Sequence, residues 1–299
     1  MNMEKISFYD QIDRNKRNSY LLISLIFIVL VGFAWVVAQI YDPGLTFIIL
    51  LFAIIFSVVY TWGTYNYCDR IALASVNAVP AKGPRYKHLR NQVEGLSLAA
   101  GLPKPRVYVM PSQDINAFAT GKDPEHSVIC VTQGMLEKLS NSELEGVLAH
   151  EMTHIVNYDI RFVTLVAVMV GIIAIASEIF LRSMWYGRGG RRGKGNALIM
   201  VLGIILAILA PIIVRLVQLS ISRKREFMAD AGAVQLTRYP GGLISALEKI
   251  KAAYGGGVKT KVNAAVAPMF FADPIRQRVS SLFRTHPPLD ERIKVLKAM

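Results

Sequence analysis

The chain has 299 residues, of which 53% are hydrophobic and 18% are charged, and its net charge is +13. Soluble proteins are about a quarter charged, so this composition argues against an ordinary soluble protein and favours a membrane protein. Much of the basic charge flanks apolar segments, before residue 18 and after residue 222. Cytoplasmic loops of membrane proteins collect Lys and Arg, so membrane topology accounts for the charge and we expect no nucleic acid partner.

Four apolar segments approach or exceed the length of about 18 residues that crosses a bilayer; they are 18–41, 44–67, roughly 162–181 and roughly 197–219. The first is longer than the apolar core of a cleaved signal peptide, so we interpret the first two as a retained hairpin anchor. The connection between them has no Lys or Arg. The N-terminus and residues 68–161 are therefore expected in the cytoplasm.

The second pair of apolar segments is less regular. It contains Glu178 and Arg215, and the intervening loop 182–196 carries five basic residues. Either this loop crosses the membrane despite its charge, or the pair is a hairpin that does not fully traverse the bilayer.

Residues 68–161 have soluble character. A helix is predicted near 85–100, ended by Gly101, because Leu89, Val93, Leu96 and Ala100 share one face. Three short strands are predicted in PRVYVMPS, DINAFATG and HSVICVTQ. Ser142 and Glu145 have the spacing of a capping box, which predicts a helix that starts there and runs through HEMTH.

Beyond the fourth apolar segment, SRKREFMADAGAVQL predicts a helix, RYPGG a break and LISALEKIKAAY a second helix. The C-terminus predicts a short amphipathic helix with Leu289, Ile293 and Leu296 on its buried face. The expected fold class is an α+β membrane protein, mainly helical, with about four membrane-embedded helices and a small β-sheet. We divide the chain into a hairpin (1–67), a catalytic part (68–161), a second hairpin (162–219) and a second catalytic part (220–299).

His150, Glu151 and His154 form the motif HEMTH. Positions four apart on a helix share one face and lie about 6 Å apart along its axis, so both imidazoles can bind one ion while Glu151 reaches a water on it. Zinc accepts such ligands, and a catalytic zinc site has three protein ligands and a fourth place open to water. The motif also arises by chance, in which case its histidines are surface residues.

Glu226 and Asp230, in REFMAD, are candidates for the third ligand and its support. If the second hairpin returns, HEMTH and REFMAD emerge on the same face of the membrane and Glu226 lies beside the histidines. Asp230 then accepts a hydrogen bond from a ligand imidazole, and Asp159 is a rival for that role. The alternative is an exposed helix face whose carboxylates pair with Arg223 or Arg225.

These motifs resemble the membrane-bound zinc metallopeptidases that include the HtpX heat-shock proteases and the CAAX prenyl endopeptidases. The resemblance covers most of the chain and rests on PRVYVMPSQDINAFATG, LSNSELEGVLAHEMTHIVNYD, SRKREFMADAGAVQL and THPPLDERIKVL. The small size and four apolar segments are more similar to HtpX. The resemblance implies a gluzincin-like zincin endopeptidase with one Zn²⁺ per chain, held by His150, His154 and Glu226, with Glu151 as catalytic base and Asp230 in a supporting role.

The resemblance also implies a cell membrane protein, in the inner or plasma membrane, with a cytoplasmic active site that cleaves misfolded or damaged membrane proteins during stress. Its partners are then polypeptide substrates and the lipid bilayer, and the oligomeric state stays open. An edge strand at Asn116, Ala117 and Phe118 is expected to bind extended peptide by main-chain pairing, although Asn116 fits a turn equally well. His286 is a further candidate, but it also fits a packed helix start.

Two alternatives stay open. An intramembrane protease would carry its H-E-x-x-H motif inside a membrane helix, whereas HEMTH precedes the apolar run and Glu226 follows the charged residues SRKR. A non-catalytic membrane protein with a structural zinc site would not need a base such as Glu151.

Overall fold

The computed structural model describes residues 8–41, 43–164, 204, 223–255, 270–271 and 287–299. Its α-helices are α1 (Phe8–Tyr41), α2 (Thr46–Ser75), α3 (Lys87–Ala100), α4 (Gln133–Lys138), α5 (Asn141–Val156), α6 (Arg223–Thr237), α7 (Pro240–Gly255) and α8 (Leu289–Leu296). Its strands are β1 (Val79–Pro80), β2 (Arg106–Met110), β3 (Ala117–Thr120) and β4 (Val128–Thr132). Residues 159–164 are also helical. The described protein is thus mainly helical with one small sheet.

The first two helices pack against each other and are joined by a short 3₁₀ turn, Pro43–Leu45. Within the described residues, α2 is long and apolar enough to cross a bilayer, and only 6% of its most apolar window is buried. Large apolar side chains such as Phe47 and Phe52 are exposed along it. The third and fourth predicted apolar segments, and the basic loop 182–196, lie almost entirely outside the described residues. Four membrane crossings therefore remain a prediction.

The sheet has the order β1-β2-β4-β3, with β2 and β4 parallel and the outer pairs antiparallel. The three predicted strands are confirmed as β2, β3 and β4, and β3 lies at an edge. The sequence prediction missed β1, which has only two residues, one of them Pro80. The predicted helix α3 is also confirmed, and it ends at Gly101 with a left-handed backbone (φ 67°).

The start of α5 differs from the prediction. A capping box is present, but Ser140 is the cap: its hydroxyl accepts a bond from the Glu143 N–H (3.4 Å), and the Glu143 carboxylate accepts one from the Ser140 N–H (2.7 Å). The predicted box of Ser142 and Glu145 is therefore wrong. The physical reason is tertiary, because the buried Glu143 carboxylate also accepts bonds from Ser245 (2.6 Å) and Lys249 (2.7 Å) of α7.

Helix α5 is at the centre of the core, with α3, β3 and β4, α6 and α7 packed around it. Its contact with α7 is close: a Cβ at Gly146 would lie 2.6 Å from the Leu243 nitrogen. The break predicted at RYPGG is shorter than expected, since α7 begins at Pro240 and its first glycines are helical. A Cβ at Gly242 would lie 2.3 Å from the Ser142 carbonyl oxygen, so these glycines permit the close approach.

Candidate metal centre

His150, His154 and Glu226 meet at one point, although the first two lie on α5 and the third on α6. The Nε2 atoms of the histidines are 3.1 Å apart, and each lies 3.7 Å from a carboxylate oxygen of Glu226. His150 and Glu226 are buried, and the His154 side chain is 16% exposed. The three groups thus converge with their metal-binding atoms facing one another.

This arrangement fits a zinc ion. Ligand atoms at about 2.0–2.2 Å from a tetrahedral zinc are about 3.3 Å from one another, and the three separations here are 3.1, 3.7 and 3.7 Å. Two imidazoles and one carboxylate are also a donor set of catalytic zinc sites, which leave the fourth place open. The cluster therefore has both the spacing and the chemistry of a catalytic zinc site.

Each histidine has its own supporting carboxylate. The Nδ1 of His150 donates to Asp230 (2.9 Å), and the Nδ1 of His154 donates to Asp159 (3.0 Å). The sequence left Asp230 and Asp159 as rivals for one role, whereas the structure places one beside each imidazole. Hydrogen bonds of this kind fix the ring so that Nε2 faces the metal.

Arg292, from α8, was not singled out in the sequence and lies against this site. Its side chain is fully buried and donates two hydrogen bonds to Asp230, of 2.9 and 2.6 Å. The same guanidinium lies 3.5 Å from a Glu226 oxygen and 3.3 Å from Nδ1 of His150. It also lies over the ring of Phe271, 4.7 Å from the centroid. One cation therefore neutralises two of the carboxylates that surround the histidines.

The sequence did carry a signal for this arginine. Leu289, Ile293 and Leu296 were predicted to share the buried face of the last helix, and Arg292 falls on the same helical face at three residues from Leu289. An arginine in an apolar stripe needs a buried partner. That reasoning identifies a buried ion pair, but it does not identify Asp230 as the partner.

The two histidines differ in their response to protons. Burial lowers the pKa of His150 to about 4, and the charge of Arg292 acts in the same direction. Burial also opposes protonation of His154, but the hydrogen bond to Asp159 and the charge of Glu226 outweigh it and raise its pKa to about 9. The carboxylates around His154 thus favour a positive charge, which suits a divalent cation.

Glu151 is buried, with 2% of its surface exposed, and follows the candidate ligand His150 on α5. Its charge contributes to the raised pKa values of both His154 and Arg292. The candidate base therefore lies within the same charge cluster as the candidate ligands.

The predicted substrate strand contains Asn116, Ala117 and Phe118. Asn116 is buried and its side-chain oxygen accepts a bond from the Ala117 N–H (3.0 Å), which is a local backbone contact. The ring of Phe118 packs in the core against Phe270, 5.1 Å between centroids. The Ala117 carbonyl accepts a bond from the N–H of Phe271 (2.8 Å). His286 lies outside the described residues.

The ring of Phe271 also meets His150 edge to face, with centroids 4.8 Å apart. The sequence analysis did not single out this phenylalanine, because a pair of phenylalanines far from any motif carries no local signal. Its contacts with His150, Ala117 and Arg292 come entirely from tertiary structure.

Comparison with known proteins identifies the family. Residues 84–299 match the family described as Peptidase family M48. The chain belongs to peptidase family M48. A protease HtpX homolog from Caldanaerobacter subterraneus is 46% identical over 302 aligned positions, covering 99% of both chains. Further protease HtpX homologs are those of Dictyoglomus thermophilum (42% identical, 99% of this chain and 96% of the relative) and Tropheryma whipplei (38%, 97% and 98%).

Among solved structures, Ste24p from S. mikatae is similar, with a TM-score of 0.48 and 21% identity. The match covers 92% of this chain and 65% of that protein, so the chain spans about two thirds of its length.

Membership of family M48 confirms the resemblance seen in the motifs. The chain is a membrane metalloendopeptidase, a hydrolase of peptide bonds. The alternative of a non-catalytic membrane protein is therefore not supported.

Proposed function

We propose that this M48 peptidase is a zinc-dependent endopeptidase that cleaves misfolded or damaged membrane proteins beside the cytoplasmic face of the cell membrane. The ligands are His150, His154 and Glu226, and the catalytic base is Glu151. The convergence of α5 and α6 on one point supports this proposal most directly, because residues 72 positions apart in the sequence have come within 3.7 Å of each other.

The proposed chemistry requires one zinc ion per chain. When bound, zinc polarises the carbonyl of the scissile peptide and lowers the pKa of its bound water to about 7. Glu151 takes the proton from the attacking water and then delivers it to the leaving amine. Asp230 and Asp159 hold the two imidazoles in the orientation that presents Nε2 to the site.

Substrate binding is proposed at the edge strand β3. In the antiparallel pair with β4, the Asn116 carbonyl bonds to Thr132 (2.9 Å), and bonding sides alternate along a strand. The main-chain groups of Ala117 and Ala119 therefore face away from β4, as the bond from the Phe271 N–H to the Ala117 carbonyl shows for the first of them. An extended peptide pairs with the main chain of β3 at Ala119. It also pairs at Ala117 once the hydrogen bond from Phe271 to Ala117 is broken.

The location beside the membrane is supported by the segment that follows α5. Arg161 lies over the rings of Tyr20 on α1 and Tyr65 on α2, at 4.7 and 5.1 Å. It is two positions along the chain from Asp159, which bonds to His154. The metal centre is thus close to one end of the α1–α2 pair, within reach of polypeptides that leave the bilayer.

For the architecture we propose two membrane hairpins, 1–67 and 162–219, and a catalytic unit formed by 68–161 together with 220–299. The packing of α5 against α6 and α7 supports a single catalytic unit. A multi-pass protein of this kind has its active site in the cytoplasm if the loop between α1 and α2 lies outside.

The proposal is tested on detergent-purified protein given zinc and unfolded casein. We expect cleavage that a zinc chelator abolishes and added zinc restores. For the substrate class, the protein is reconstituted in vesicles with a stable membrane protein and a destabilised variant of it, and we expect only the variant to be cleaved. Cleavage that continues in the chelator would contradict the zinc mechanism, and equal cleavage of both membrane proteins would contradict the quality-control role.

A further inference from the structure

A cleft lies between α1 and α2, on the side that carries Arg161. Its volume is about 640 Å³, and Ile23, Phe27 and Val58 form part of its apolar wall. Along α1 the lining extends from Tyr20 to Ile28, which is about 12 Å of helix. The cleft is therefore long enough to hold part of an acyl chain parallel to the two helices.

Arg161 lines one end of this cleft and is the charged residue of its wall. The side chain is buried, with 6% of the residue exposed, and its guanidinium lies between the rings of Tyr20 and Tyr65. Among the described residues, its Nε has no hydrogen-bond partner and no carboxylate forms an ion pair with it. A buried guanidinium has five donors and is costly without an anion.

The neighbours of Arg161 at this end match a membrane interface. Tyr20, Trp62 and Tyr65 all line the cleft, and the two tyrosines contact Arg161. Tyr and Trp collect at the level of lipid headgroups. A second cation, Lys122, bonds to Asn66 (3.1 Å) and lies 5.9 Å from the centroid of the Tyr65 ring. The end of the cleft is thus cationic and aromatic, while the rest is apolar.

From these observations we propose that the cleft binds an anionic phospholipid, with the phosphate on Arg161 and one acyl chain between α1 and α2. Arginine matches the geometry of phosphate by paired hydrogen bonds, and the apolar wall matches an acyl chain, which a soluble anion lacks. The inference rests on the proposed position of α1 and α2 in the membrane. It does not depend on the peptidase mechanism.

The test uses quenching of Trp62, which lines the cleft. The chain has three tryptophans, so Trp35 and Trp185 are replaced by Phe to leave one reporter. The full chain is reconstituted in phosphatidylcholine vesicles that contain the same small fraction of either brominated phosphatidylglycerol or brominated phosphatidylcholine. The ratio of the two quenching efficiencies gives the preference for the anionic lipid at this site.

We expect a preference for phosphatidylglycerol of about five-fold, the contribution of one basic residue near a membrane. Arg161→Gln should abolish this preference, so that the ratio of the two quenching efficiencies is about 1. Arg70→Gln is the matched control, because Arg70, on α2, also lies over a tyrosine ring (5.2 Å from the centroid of Tyr67), but it is exposed and does not line the cleft. This control should keep the preference.

A second variant distinguishes loss of lipid binding from misfolding of Arg161→Gln. Ser24 is exposed on α1 and lines the cleft, so Ser24→Phe fills the acyl-chain path while Arg161 stays in place. We expect it to lose the preference too. Added inorganic phosphate should leave the preference of the parent protein intact, and displacement by phosphate would instead indicate a free-anion site.

Equal quenching by the two lipids in the parent protein would overturn the proposal, as would a preference that survives both Arg161→Gln and Ser24→Phe. A protein segment or a second copy seated in the cleft would give the first of these results. Because the assay measures lipid binding and the casein assay measures cleavage, either proposal can fail while the other stands.

Discussion

Arg292 donates two hydrogen bonds to the carboxylate of Asp230, and both side chains are fully buried. Asp230 in turn accepts a bond from His150. Helix α8 therefore supports the proposed metal ligand His150 of α5 through a single carboxylate on α6. This chain of contacts connects the proposed chemistry to the stability of the fold.

Arg292→Met should destabilise the catalytic unit strongly, because it keeps the length of the side chain but leaves Asp230 buried without its cation. We expect a loss of about 3–5 kcal/mol in the free energy of unfolding, measured by denaturation in detergent. Lys297→Met is the control, since Lys297, at the end of α8, pairs with Glu248 of α7 (2.8 Å) on the protein surface. An exposed pair contributes about 0–1 kcal/mol, and equal losses in the two variants would show that the buried pair has no special role.

Asp159→Asn should weaken zinc binding while the ligands stay intact. The carboxylate holds His154 in the orientation that presents Nε2, and loss of such a partner costs about 10–100-fold in metal affinity. Competition with a chromophoric chelator measures the change. Asp123→Asn is a matched control, because Asp123 also bonds to a histidine, His126 (2.6 Å), away from the metal centre. Unchanged zinc affinity in Asp159→Asn would mean that Asp159 does not orient the ligand.

Glu143 makes the stability of the catalytic unit dependent on acid pH. Burial opposes its ionisation, but the hydrogen bonds from Lys249, Ser245 and Ser140 outweigh this and lower its pKa from 4.5 to about 2. A carboxylate with a lowered pKa stabilises the folded state above its unfolded pKa, and the contribution is lost as the pH falls. The window of loss is therefore between pH 4.5 and 2.

The measurement compares wild type with Glu143→Gln by thermal unfolding across this range. The wild type should be more stable at neutral pH, and the difference should shrink as the pH falls below 4.5. Glu145→Gln, an exposed position on the same helix, should follow the wild type. A difference that stays constant down to the acid end would show that the charge of Glu143 does not matter.

Local patterns predicted the main elements of the catalytic unit. The strands β2, β3 and β4 and the helix α3 follow from β-branched runs and helical spacing, and both are local properties. The start of α5 was misplaced because two Ser–Glu pairs have the same spacing, and only the contacts of Glu143 with α7 distinguish them. Gly242 was taken for a helix breaker, although close packing against Ser142 is the reason for its presence in α7.

In the candidate site, too, local sequence patterns predicted some residues, and tertiary contacts revealed the others. The spacing of HEMTH predicted His150 and His154 as candidate ligands and Glu151 as the candidate base. The expected return of the second hairpin predicted that Glu226 and Asp230, in REFMAD, lie beside them. Arg292 and Phe271 were missed, because their contacts with Asp230 and His150 join parts of the chain that no spacing rule connects. The hairpin itself lies outside the described residues, so the route that brings Glu226 beside the histidines remains a prediction.

Glu226→Gln tests that third ligand. Gln keeps the size of the side chain but removes the charge that zinc prefers in a carboxylate ligand, so zinc affinity should fall further than in Asp159→Asn. Metal content after dialysis against a weak chelator measures it, with Glu248→Gln on the surface of α7 as the control. Full zinc content in Glu226→Gln would contradict the proposed ligand set.

The central claim is that Glu151 moves the proton in peptide hydrolysis at a zinc site. The direct measurement is the rate of casein cleavage by Glu151→Gln, together with its zinc content, beside Glu145→Gln as a control on the exposed face of the same helix. We expect Glu151→Gln to bind zinc like the wild type and to lose about 10²–10⁴-fold in rate, while the control cleaves normally. Cleavage at the wild-type rate by the zinc-loaded Glu151→Gln protein would contradict the mechanism.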